Sequence, residues 1–283
     1  MEKQELRRLK LAACQLRMDV VTQVHAAHSG HPGGALSSAE VFTWLDQKEL
    51  RVDPAQPKAP GRDRLVLSKG HSSPGYYSAL CRRGFFDPEL LPTFRAPGSI
   101  LQGHPDMKKI PGVDMTTGSL GQGVSAACGM ALSAKLFGDD YRVYALLGDG
   151  EVEEGQVWEA AMFAAHNKLD NLCWIVDRNG LQIDGRVEDV AGIEPLDKKF
   201  EGFGFEVIKV ADGNDLEQLE VAFNKARAVT GKPAVLLAKT VKGKGVSYME
   251  DQVGWHGAAP NDEQYEQAMS ELRAAMQEVE NNG

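Results

Sequence analysis

Two continuous apolar runs, Val143-Tyr144-Ala145-Leu146-Leu147 and Leu172 to Val176, constrain this chain most tightly. Neither alternates polar with apolar residues. Each therefore needs cover on both faces, the condition of a strand inside a parallel sheet. The first runs into Gly148-Asp149-Gly150 and the second into Asp177-Arg178-Asn179-Gly180, with a helical stretch over 155–168 between them. Further strands are expected at 64–67, 205–210 and 233–239, and further helices at 4–28, 73–83, 122–137 and 214–229. In the first helix Leu9, Ala13, Leu16, Val20 and Val24 share one face. A second helix follows the Ser29-Gly30-His31-Pro32-Gly33-Gly34 break, with Ser37 or Ser38 as its expected cap. Residues 51–64 and 92–123 read as connections rich in Pro, Gly and charge.

Strands alternating with helices imply an α/β fold with a mostly parallel sheet covered by helices on both faces. Ligands of such sheets bind beyond the carboxyl ends of the strands. Gly, His, Asp and Asn residues follow the strand ends at 67, 147 and 176, which points to one shared site.

Charge and composition narrow the function. Lys and Arg number 31 against 40 Asp and Glu, a net charge of −9. A general nucleic-acid binder would need a basic face, so no nucleic-acid partner is expected. No run of 18 apolar residues suggests a membrane span, and the charged N-terminus lacks the apolar segment of a secretory signal. Cys14, Cys81, Cys128 and Cys173 are widely spaced in apolar surroundings and read as reduced core residues of a cytoplasmic protein.

An anionic ligand must then be held by local features. Asp149 and Asn179 are 30 residues apart, and a parallel sheet sets their loops side by side. A carboxylate, an amide oxygen and a backbone carbonyl would offer three oxygens to a hard divalent ion, Mg²⁺ or Ca²⁺, with phosphate oxygens and water completing the shell. Gly-Asp-Gly alone is a common turn. Its pairing with an Asn, each after an apolar strand, is the specific signal, and it resembles the signature of thiamine-diphosphate proteins. Glu151 and Glu153 read as a solvated helix face. Four of seven histidines, His31, His71, His104 and His256, lie in Gly- or Pro-rich loops, which favours function over packing. His25, His28 and His166 read as surface or helix-end residues, and Arg95 as an exposed loop arginine.

The motifs SGHPGG at 29–34, SKGH at 68–71, GHPD at 103–106, TTGSLGQG at 116–123, GDGEVEEG at 148–155, DRNGLQIDG at 177–185 and KTVKGKG at 239–245 together resemble transketolase, in the same order and across nearly the whole chain. The resemblance implies a single thiamine-diphosphate (PP-type) domain over 1–283, with an N-terminal helix and an acidic, helical, solvated tail at 261–281. It implies metal ligation by Asp149, Asn179 and the Leu181 carbonyl. It assigns His71, Gly118, Leu120, Gly150, Ile183, Asn179 and His256 to the cofactor, with Glu154 and Glu159 in a network between subunits beside it. His31, His71, His104 and His256 become the catalytic set, binding sugar hydroxyls, stabilising the developing oxyanion and moving protons.

By the same resemblance the reaction is transfer of a two-carbon ketol unit from a ketose phosphate to an aldose phosphate, as in pentose phosphate metabolism, with the hard chemistry carried by thiamine diphosphate. The pyrimidine-binding and C-terminal domains of the family are missing. A second subunit carrying them is therefore the expected partner, in an α2β2 assembly, and the Asn-Asn-Gly ending reads as the finished terminus of a naturally split subunit. Two other readings compete: a related thiamine enzyme of the deoxyxylulose-phosphate synthase or E1 type, and a non-catalytic scaffold subunit that kept the fold. The four-histidine set favours transketolase over the first, and the filled motif positions argue against the second.

Overall fold

The computed structural model describes residues 1–281. Five parallel strands form its main sheet: β1 (Arg64–Leu67), β2 (Val143–Gly148), β3 (Leu172–Arg178), β6 (Glu206–Val210) and β7 (Ala234–Lys239), in the spatial order β1-β2-β3-β7-β6. A two-stranded antiparallel hairpin, β4 (Leu181–Gln182) and β5 (Gly185–Arg186), follows β3. The helices are α1 (Lys3–Ala26), α2 (Pro32–Ser37), α3 (Ala39–Trp44), α4 (Ser73–Arg83), α5 (Gln122–Phe137), α6 (Gly155–His166), α7 (Val187–Val190), α8 (Leu196–Gly202), α9 (Leu216–Ala228) and α10 (Asp262–Asn281).

The apolar runs form central strands because both of their faces are used. Side chains alternate across a strand, and here they feed two separate cores. Tyr144, Leu146, Cys173 and Ile175 join one core with residues of α1, α3, α4, α9 and α10. Val143, Ala145, Leu147, Leu172, Trp174 and Val176 join the other, with residues of α5, α6 and α8. The parallel sheet covered on both faces is as the sequence implies. All four cysteines are free and buried.

Two local expectations need correction. Ser38 stands at the N-cap position of α3, but its side chain makes no capping bond, and α2 begins earlier, at Pro32 inside the Gly-rich motif, where a missing N–H costs nothing. The Ser37 and Ser38 hydroxyls instead turn inward, within hydrogen-bond reach of the Gly34 carbonyl. The acidic tail is helical but not simply solvated. Ala268, Met269 and Leu272 of α10 are buried in the core against α1. Arg7 near the start of α1 donates to the carbonyls of Val279 and Glu280, and His25 near its end pairs with Asp262 at 2.9 Å, so the two helices run antiparallel. The short helices α7 and α8 and the β4–β5 hairpin went unread, since each has too few residues to show a period.

Because every strand of the main sheet is parallel, all its carboxyl ends open on one edge. The loops after β1, β2, β3 and β7 meet there.

Candidate active site at the carboxyl edge of the sheet

The Asp149 loop is held by its own backbone. Its carboxylate accepts from Gly150 N–H at 2.9 Å and Gly180 N–H at 2.5 Å, tying the loop after β2 to the loop after β3. The group is 2% exposed. Burial, with Asp177 nearby, pushes its pKa up to about 6 despite those two donors. Desolvation and a like charge both disfavour the ionised form, and the nearby Lys242 ammonium offsets them only in part. At Gly150 the loop closes tightly over the hairpin, since a Cβ there would stand 2.5 Å from Gln182 Oε1. A side chain at 150 would have to displace Gln182.

Asn179 is oriented from below. Its amide nitrogen donates to Asp177 at 2.9 Å, and its amide oxygen accepts from Leu181 N–H at 3.1 Å. The Leu181 carbonyl receives the Lys242 ammonium at 2.9 Å, and the same ammonium donates to His256 Nδ1 at 3.0 Å. Lys242 is 2% exposed, and burial lowers its pKa to about 8. A positive charge thus already sits on one of the oxygens expected to bind metal. Among the described residues no group of three His, Cys, Asp or Glu side chains is arranged to hold a metal. A cation here would rely on one carboxylate with amide and backbone oxygens, the donor set that hard divalent ions accept.

Beneath these loops lies a charged node that sequence reasoning missed. Lys69, after β1, donates to Asp177 and the Ser38 hydroxyl at 2.6 Å and to the Gly34 carbonyl at 2.9 Å. Asp177 also accepts from Ser37 at 2.6 Å and from Thr240 after β7. Burial raises the Asp177 carboxyl, but Lys69 and the hydroxyl donors outweigh it and leave the pKa below the usual value. The node pins the ends of β1, β3 and β7 to α2. Glu151 is a second correction: it is not on a solvated face but 2% exposed, accepting from the Ser68 hydroxyl, Gly121 N–H at 2.9 Å and Gly148 N–H at 3.1 Å. Both Lys69 and Glu151 stand inside motifs next to strand ends, and that placement was the available signal.

Three of the four loop histidines converge. The rings of His31 and His71 are 5.2 Å apart, His31 and His256 5.5 Å, and His71 and His256 5.1 Å. Burial, then nearby cations and neighbouring rings, lowers the pKa of His31 to about 4 and of His256 to about 3, and holds His71 well below its ordinary value. All three are neutral at pH 7. His104 is exposed and stands at the rim, where a Cβ on Gly118 would lie 3.2 Å from its ring. Leu120 is half-buried nearby in sequence, and Ile183 at the hairpin tip is 64% exposed. Glu154 and Glu159 face solvent. Arg95 is not an exposed loop arginine: it is half-buried and donates to Ser29 Oγ at 2.8 Å and to His31 Nδ1 at 3.4 Å.

A parallel α/β sheet with polar loops and clustered histidines gathered at its carboxyl edge defines a class: α/β proteins that bind a ligand beyond the strand ends. The chain belongs to the transketolase, thiamine diphosphate binding domain family, whose model matches residues 9–278. It is 44% identical over 243 residues to the 6-deoxy-6-sulfo-D-fructose transketolase subunit SqwG of Clostridium sp. (strain MSTE9), covering 86% of this chain and 88% of that one. It is 42% identical over 277 residues to an apulose-4-phosphate transketolase subunit of Phocaeicola vulgatus, covering 97% and 98%. The crystal structure of transketolase from Campylobacter jejuni superposes with a TM-score of 0.88 at 34% identity. It matches 96% of this chain but only 45% of that one, so this chain spans about half the length of the transketolases of known structure.

Proposed function

We propose that this chain is the thiamine-diphosphate-binding subunit of a two-chain transketolase. The carrying observation is the meeting of the Asp149 carboxylate, the Asn179 amide and the Leu181 carbonyl at one edge, with three neutral histidines beside them. Those oxygens would hold Mg²⁺ or Ca²⁺ and, through it, the diphosphate; the Lys242 ammonium would move off the Leu181 carbonyl as the metal arrives. Gly150 would offer its N–H to the phosphates, and His71, Gly118, Leu120 and Ile183 would line the cofactor rings. When bound, thiamine diphosphate supplies the nucleophilic carbon and the electron sink for carbon–carbon cleavage.

The chain's own part is to bind and to move protons. His31 and His256, both neutral, would hydrogen-bond the ketose oxygens and stabilise negative charge on them. His104 at the rim would meet the hydroxyl next to the bond that breaks. Neutral imidazoles suit both donor and acceptor work near pH 7.

A companion chain is part of the reading. Leu136 and Phe137 of α5 and Met162 and Phe163 of α6 are exposed large apolar residues, and Glu154 and Glu159 are exposed at the start of α6. That face fits a second polypeptide carrying the pyrimidine-binding and C-terminal domains, and an α2β2 assembly. The expected substrates are phosphorylated or otherwise anionic ketoses and aldoses. Titration calorimetry of the assembled enzyme with thiamine diphosphate and Mg²⁺ tests the cofactor site. Asp149→Ala is expected to abolish metal-dependent binding, and unchanged affinity would rule out the metal set.

A further inference from the structure

Arg95 stands where the loop before the GHPD motif folds over the SGHPGG loop, and its backbone is strained there. Its φ is +60°, in the left-handed region that side chains with a Cβ rarely adopt. Such strain persists only when surrounding contacts over-determine it, and it concentrates at functional sites. The contacts are visible. Arg95 N–H donates to the Leu101 carbonyl at 2.7 Å. The guanidinium packs so closely on Gly103 that a Cβ there would meet it at 2.9 Å. One arm donates to Ser29 Oγ at 2.8 Å, which fixes the direction of the other.

That other arm faces His31 Nδ1 at 3.4 Å. A guanidinium has five N–H donors and no acceptor, and it does not lose its proton in proteins. An N–H on the imidazole Nδ1 would point a hydrogen at a hydrogen beside a positive charge. A lone pair at Nδ1 is attracted instead. The ring must then carry its single proton on Nε2, which lies on the side of Gly257, where a Cβ would stand 3.5 Å from it.

We propose that Arg95 is a positioning residue: it holds His31 in the Nε2–H tautomer and opposes a second proton, so that His31 enters the site as a hydrogen-bond donor rather than a base. This rests on the reading of His31 as a substrate-facing residue but adds a direction to its hydrogen bond. A donor fits an oxygen that gains negative charge, and a fixed donor needs no reorganisation when that charge forms. The other groups facing His31 are His71, His104, His256 and Lys242, and the charges among them act in the same sense, against protonation. The same chemistry recurs next door, where the Lys242 ammonium faces His256 Nδ1 at 3.0 Å. Two cations thus turn two rings the same way.

The test is long-range ¹H–¹⁵N correlation spectroscopy on the purified chain with ¹⁵N-labelled histidine, the His31 signals being assigned with His31→Gln. The wild-type chain is expected to show Nδ1 unprotonated and Nε2 protonated, without titration between pH 5 and pH 8. Arg95→Met should mix the two tautomers and bring the ring's titration into that range, and Arg95→Lys should restore the wild-type pattern in part. An Nδ1–H signal in the wild type overturns the proposal before any variant is made. An unaltered His31 in folded Arg95→Met overturns it as well. In the assembled enzyme Arg95→Met should lower kcat about tenfold while KM changes less than about threefold, the pattern of an interaction made chiefly in the transition state. Absence of ketol transfer in the assembled wild type would instead fail the reading of the site, leaving the spectra to judge the tautomer.

Discussion

Asp177 and Lys69 carry full charges at 0% and 1% exposure, and neither can leave without stranding the other. Removing one partner of a buried pair costs about 3–5 kcal/mol. Lys69→Met is therefore expected to lower the urea unfolding free energy by about that amount; a loss under about 1 kcal/mol would show that the node is not a structural hinge of the site. The histidines make a second prediction. Their native pKa values, about 4 for His31 and about 3 for His256, lie below the unfolded value near 6.5. The unfolded chain binds more protons there, so the stability these groups contribute is full above pH 6.5 and is lost as pH falls toward 4. Asp46 and Asp149, both pushed up to about 6 by burial, act in the opposite direction. The clean measurement is a difference: unfolding midpoints of wild type and a His31→Asn/His256→Asn variant from pH 7 to pH 4. The variant should lose less stability on acidification. Parallel pH profiles would contradict the neutral-histidine account. Asp149 and Asn179 were readable at this scale because strand ends and spacing mark them. Lys69 and Glu151 share that strand-end placement, but their roles, like that of Arg95, lie in contacts between loops distant in sequence.

At the scale of elements, the strands were legible wherever an apolar run was continuous, and β1 to β3 fell on those runs. The helices α4 and α5 were bounded by Pro and Gly signals and matched the expected spans. The tail was read as solvated because its acidic residues dominate its composition. What decides its place is the sparse stripe of adjacent Ala268 and Met269 with Leu272 one helical turn on, and a stripe that narrow is hard to separate from background. α10 packs along α1, so it braces the helix that leads into the His31 loop. Leu272→Ala should cost about 3 kcal/mol through the cavity it leaves, read by thermal or urea unfolding. A change below about 0.5 kcal/mol would place α10 outside the cooperative core.

For the molecule as a whole, family membership and the parallel sheet agree: the sheet edge gathers loops from four strands, and the motif order along the chain is the order in which those loops arrive. The face formed by α5 and α6 exposes Leu136, Phe137, Met162 and Phe163, and aspartate substitutions at Phe137 and Phe163 should weaken association with a companion chain, as sedimentation would show, while leaving the fold's circular dichroism unchanged. The central claim, that this chain supplies the metal and diphosphate side of a shared site, is tested most directly by reconstitution. Each purified chain is assayed alone and together for two-carbon transfer from a ketose phosphate to an aldose phosphate, with thiamine diphosphate and Mg²⁺ present. The account predicts transfer by the mixture, none by either chain alone, and none by the mixture when this chain carries Asp149→Ala. Full turnover by this chain alone, or by the mixture carrying that substitution, would contradict it.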